Sequence, residues 1–185
     1  ISTLHNGLRI VTTHMPGTYS VSTGIFVGAG SRYENDRLAG SSHFLEHLLF
    51  KGTKSYPLAK NISEAIEGVG GELNASTDRE MTVYWCKVAH QHFKLSLSVL
   101  IDMVINPLLD PEEMEKERQV ILEELRMTND YPTHQVDLLI DRILWPDQAM
   151  GRDVGGTMES VSNISNLELR KMLLSQYAPD NVVIA

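Results

Sequence analysis

The segment Gly40-Ser-Ser-His43-Phe-Leu-Glu46-His47-Leu-Leu-Phe50-Lys-Gly-Thr53 constrains this chain more than any other. On a helix, residues four apart lie about 40° from each other around the axis, so His43 and His47 share a face. Glu46, three residues after His43, falls about 60° to its other side. Phe44, Leu45, Leu48, Leu49 and Phe50 account for burial of such a helix but not for three ionisable groups together. Two imidazoles suit zinc, which takes nitrogen ligands at about 2.0–2.1 Å and keeps one position open for water in catalytic sites. The nearby carboxylate of Glu46 is then placed to act as a base on that water. Gly40, Ser41 and Ser42 offer N-cap candidates, and Gly52 a stop.

Two histidines leave a metal site incomplete. Downstream, Asp110-Pro111-Glu112-Glu113 opens a second helix with a cap, a proline at the first position and acids in the first turn. It runs to about Asn129. With Glu117 set at 0° on its wheel, Glu124 falls at about −20°, among Val120, Ile121, Met114 and Leu125. Both carboxylates therefore lie in the middle of an apolar stripe, whereas Glu123 points about 100° away from Glu124. A buried carboxylate is costly unless it is protonated or paired. Coordination removes that cost for Glu124, and leaves Glu117 to support a ligand histidine. The competing reading is a structural ion pair with arginines.

A length of 185 residues points to one domain that buries enough surface to fold without disulfides or a structural metal. The single cysteine, Cys86, sits in an apolar strand pattern and is expected in the core. A formal charge of −8 argues against nucleic acid or an anionic membrane as the main partner. No apolar run of about 18 residues occurs, and the first residues are not a signal peptide. The cytoplasm is the expected compartment, although the sequence leaves others open. The absence of an initiator Met leads us to expect a fragment of a longer chain.

Along the chain, Asn6-Gly7 predicts a hairpin, and Ser20 to Gly28 a long strand. Helical spacing covers Ala59 to Val69, His90 to Ile105, the segment opened by Pro132, and Ser165 to Tyr177. The Pro132 helix has an apolar face of Val136, Leu139, Ile140 and Ile143. Glu72 to Thr77 and Met81 to Val88 predict two strands joined by a polar turn, and Asp180 to Ala185 begins a last one. The Gly151 to Gly156 loop lacks the strand-before and helix-after context of a phosphate site. His5, His14, His90, His92 and His134 are expected as surface or capping residues, and Tyr33, Tyr84 and Trp85 as core or rim aromatics.

Gly40 to Thr53, Gly70-Gly-Glu-Leu-Asn-Ala-Ser-Thr77 and Glu117-Arg-Gln-Val-Ile-Leu-Glu-Glu124 together resemble the pitrilysin, insulin-degrading enzyme and mitochondrial processing peptidase family. Pro179 to Ala185 is similar to the strand closing the family's first domain. The style is closest to the bacterial, processing-peptidase-like members, and the inverted His-x-x-Glu-His order is their zinc motif. The resemblance implies an α+β domain, an antiparallel sheet with helices packed mainly on one side. It implies a zinc endopeptidase with His43, His47 and Glu124 as ligands, Glu46 as general base and Glu117 as supporting acid. Asn74 and Ala75 match the segment that binds substrate backbone at a sheet edge, which fits recognition of extended peptides by strand addition. Family members work as two homologous units, so residues 1–185 are expected as the N-terminal zinc-binding domain, partnered by a second domain or subunit. The rival readings are a non-catalytic partner subunit or scaffold and a zinc hydrolase of small molecules.

Overall fold

The alternation of Thr23, Ile25 and Val27 with Ser22 and Phe26, and of Thr82, Tyr84, Cys86 and Val88 with Val83, Trp85 and Lys87, gives two strands one core face each. In the computed structural model, which describes residues 1–185, these are β3 (Ser20–Val27) and β5 (Thr82–Ala89). They pair antiparallel over their full length, from Ser20 opposite Ala89 to Val27 opposite Thr82. The inward residues named are buried, while Phe26 and Lys87 face outward. Helices therefore cover one side of the sheet, as expected.

β4 (Glu72–Thr77) pairs antiparallel with β5 and forms one edge of the sheet. On the other side of β3 lies β6 (Val182–Ile184), then β2 (Arg9–Ile10) and β1 (Ser2–Thr3), giving the order β1-β2-β6-β3-β5-β4. The Asn6-Gly7 hairpin forms, with Gly7 at a φ of 89°. One pair departs from the antiparallel expectation: β2 runs parallel to β6. The last strand returns to the sheet from a helix rather than from a hairpin, which leaves its direction free.

The helices are α1 (Ser41–Leu49), α2 (Ala59–Glu67), α3 (Phe93–Ile105), α4 (Pro111–Asn129), α5 (Pro132–Leu144), α6 (Met158–Asn163) and α7 (Asn166–Gln176). α1 and α3 lie against the sheet, and Phe44, Leu45, Leu48, Leu49, Val99, Leu100 and Met103 are fully buried beneath it. Cys86 is a buried free thiol, as expected. Tyr84 is a core residue whose hydroxyl meets that of Tyr177 at 2.9 Å, whereas Tyr33 is exposed at the rim. α6 has no counterpart in the sequence reading. It is a single short turn-and-a-half built on a Thr157–Ser160 cap, too brief to show a period.

One expectation about a buried face needs correction, and one apolar face turns out to be exposed. On α4 the buried residues are Met114, Glu117, Arg118, Ile121, Leu122 and Leu125, while Val120 is exposed. The true inward face is turned toward Arg118 and Leu122, and Glu124 lies at its rim rather than in its middle. Arg118 is buried because its guanidinium caps the Val161 and Ile164 carbonyls and stacks 5.3 Å over the Phe44 ring. On α5, Val136, Leu139, Ile140 and Ile143 are exposed, and Leu138 is the buried residue. The apolar face read from the spacing exists there, but it stays exposed. No helix is long and apolar enough to cross a membrane.

Candidate metal centre

α1 carries His43, Glu46 and His47 beneath the end of β4, and α4 crosses beside it. Their side chains converge. His43 Nε2 and His47 Nε2 stand 3.2 Å apart, and Glu124 Oε2 lies 3.9 Å from the first and 3.6 Å from the second. Four tetrahedral donors at about 2.0–2.2 Å from a zinc ion stand about 3.4 Å from one another, so this spacing fits. Two imidazole nitrogens aimed at each other beside a carboxylate are also a donor set that asks for a cation between them.

The His47 tautomer agrees with that fit. His47 Nδ1 lies 3.1 Å from Glu117 Oε2, and as the donor of this bond it leaves Nε2 with its lone pair. Glu117 is buried, and its other oxygen takes Lys51 Nζ at 2.7 Å. The lysine, and not an arginine, offsets the cost of that buried charge. Glu124 meets only the two histidines among charged partners and is about two-fifths exposed, which opens the centre to solvent on one side. Glu123 points away from it and pairs with Arg126.

Burial, reinforced by the neighbouring His47, pushes the His43 imidazole down to about 4. It is thus a neutral donor at neutral pH. An unfolded histidine titrates near 6.5, so between those values the unfolded chain binds more protons and stability rises with pH. Metal-stripped protein is expected to lose about 3 kcal/mol from this one group as pH falls from 6.5 to 4. Urea titrations of metal-stripped wild type and His43→Asn check this. Equal slopes in that window would remove His43 as the source.

Glu46 projects toward the same opening. Burial raises its carboxyl above the usual range, and a hydrogen bond from the Thr77 hydroxyl pulls it back. Thr77 is the last residue of β4, and its hydroxyl also lies 3.4 Å from that of Thr82. Asn74 and Ala75 lie on the same edge strand, where the Ala75 N–H donates to Asn74 Oδ1 at 2.8 Å. Thr77 and Lys51 are partners that the sequence reading did not assign. Neither has a periodic or spacing signal, because each contact joins segments far apart in the chain. His134, expected as a surface or capping residue, is half-buried and bonds Asp153 Oδ2 at 3.1 Å.

Residues 9–158 match the insulinase family of peptidases, family M16. The chain belongs to this family. It is 42% identical to an uncharacterized zinc protease of Mycobacterium leprae over 184 residues, covering 100% of this chain and 41% of that protein. It is 37% identical over 184 residues to the mitochondrial-processing peptidase subunit beta of Saccharomyces cerevisiae, covering 100% and 40%. The crystal structure of a protease from Helicobacter pylori superimposes with a TM-score of 0.94 at 27% identity, over 99% of this chain and 44% of that one. The chain thus spans about two-fifths of the length of the M16 relatives it matches.

Proposed function

We propose that this M16 chain is the zinc-carrying unit of an endopeptidase that hydrolyses extended peptides and is completed by a second, homologous unit. The observation that carries this reading is the set of ligand atoms from His43, His47 and Glu124, all within 4.8 Å of one another, with Glu46 alongside. These three side chains would hold the ion. Zinc in such a set supplies Lewis acidity toward a scissile carbonyl and an attacking water. Glu46 takes the proton from that water and passes it to the leaving amine. Its partial burial suits the task, since a base works best with a pKa drawn toward the working pH. Glu117 fixes the His47 ring, and Lys51 pairs with the other oxygen of Glu117.

The edge position of β4 supports a peptide as substrate. An extended chain laid along it gains main-chain hydrogen bonds without requiring one particular side chain. The Ala75 N–H, turned to the Asn74 side chain, is a donor that a peptide carbonyl can take over. The names of the relatives point the same way: one is a zinc protease, the other a subunit of a processing peptidase. Their greater length leaves room for the second unit.

The test is hydrolysis of an unstructured internally quenched peptide by the full-length protein. Cleavage is expected to stop on chelation and return with about one equivalent of zinc. Cleavage that persists after the metal is stripped, or turnover of a small ester with no peptide cleaved, would overturn the proposal.

A further inference from the structure

We infer that Glu34 is a positioning residue for the metal centre, because its carboxylate grips the first turn of the helix that carries two of the three ligands. This rests on the zinc reading above. α1 starts from Gly40, whose φ of 88° is left-handed and which has no side chain to cap its own helix. The serines do not cap it either. Instead Glu34, in the loop before the helix, turns both carboxylate oxygens onto it. Oε2 accepts from the Gly40 N–H at 2.8 Å, and Oε1 accepts from the Ser42 N–H at 2.6 Å and the Ser41 hydroxyl at 3.1 Å. A helix start leaves such donors without intrahelical partners, and its dipole favours a negative charge there.

Glu34 is itself held. It is 9% exposed, and its backbone carbonyl accepts from Arg152, which also bonds the Ser31 carbonyl at 3.3 Å and pairs with Asp36. On the opposite side Gly156, at a φ of 83°, lies so close to Ala39 and Gly40 that a Cβ on either glycine would strike the facing backbone. Ser160 Oγ donates to the Ala39 carbonyl at 2.7 Å. The start of α1 is therefore fixed from outside by two loops. His43 is the residue after Ser42, while His47 is anchored a turn later through Glu117 on α4. Loosening the first turn would shift His43 against the other two ligands. Metal–ligand distances tolerate only about 0.2 Å. Glu34 does not touch the metal position or the reacting atoms, so its effect runs through His43.

The experiment uses full-length protein as wild type, Glu34→Gln and Glu34→Ala. Gln keeps the shape but places an NH2 group against a donor. Zinc affinity, read by competition with a chelating dye, is expected to weaken about 10-fold in Glu34→Gln and further in Glu34→Ala, the range for groups that orient ligands. Amide exchange at Gly40 and Ser42 in metal-stripped protein should speed up in both variants. In peptide hydrolysis kcat should fall with KM unchanged. A lower unfolding temperature with wild-type zinc affinity would make Glu34 a fold residue only and overturn the inference. If Glu34→Ala does not fold, Glu34→Gln decides by the same affinity measurement. Wild type that binds no zinc would overturn the metal reading and this inference with it. Wild type that binds zinc no more tightly than Glu34→Gln would overturn this inference alone.

Discussion

Glu46→Gln in the full-length protein is expected to lower kcat for peptide hydrolysis by about 10²–10⁴-fold while zinc remains bound. The glutamine keeps the length and the hydrogen bond from Thr77 but accepts no proton at neutral pH. Because Glu46 is not among the three grouped ligand atoms, metal content should stay at that of wild type. Parallel measurements of zinc by elemental analysis and of turnover separate the two effects. Wild-type turnover in the variant would remove Glu46 as the base. Loss of zinc together with turnover would instead place Glu46 among the ligands.

Glu124→Gln should have the larger effect on the metal itself. On the proposed zinc reading it would replace an anionic ligand by a neutral amide in a set whose other members are two imidazoles. Zinc content is expected to drop from about one per chain to near zero after gel filtration in dilute chelator. Glu123→Gln is the matched control. It sits next in sequence, carries the same charge and pairs with Arg126 on the outer face, so zinc should be retained. Equal retention in both variants would leave the centre without its third ligand, and equal loss would mean that the effect is one of net charge rather than coordination.

Much of the candidate site was legible because helical geometry is local. The four-residue spacing of His43 and His47 leads to one face in any helix, and seven residues bring Glu117 and Glu124 back to nearly the same angle. Both pairs converge as expected. Asn74 and Ala75 rest on a less direct footing: their positions follow from the resemblance, and the structure adds that their strand is the sheet's edge. The apolar stripes were less informative. Their period located α4 and α5, but the face that packs depends on neighbours supplied by distant segments. Arg118 could turn inward because the Val161 and Ile164 carbonyls were there to receive it. On α5, four apolar residues at helical spacing stay exposed because no other element of the fold lies over them.

The sequence by itself determined that two histidines and a carboxylate share one turn of helix, that a second helix presents two more carboxylates, and that alternating strands supply a sheet with one buried face. Backbone periodicity is a property of neighbouring residues, and it needs no knowledge of the rest of the chain. Only the tertiary structure decided how far α4 is rotated, so that Glu124 reaches the centre from the rim of the core and not from inside it. It also decided that Lys51 neutralises Glu117, that Thr77 holds Glu46, and that Glu34 caps a helix whose own N-cap is a glycine. Each of these contacts joins groups that share no period and no motif. They exist because close packing of the core brings α1, α4, β4 and the loop before α1 to one place, and there each buried charge or free donor must find a partner.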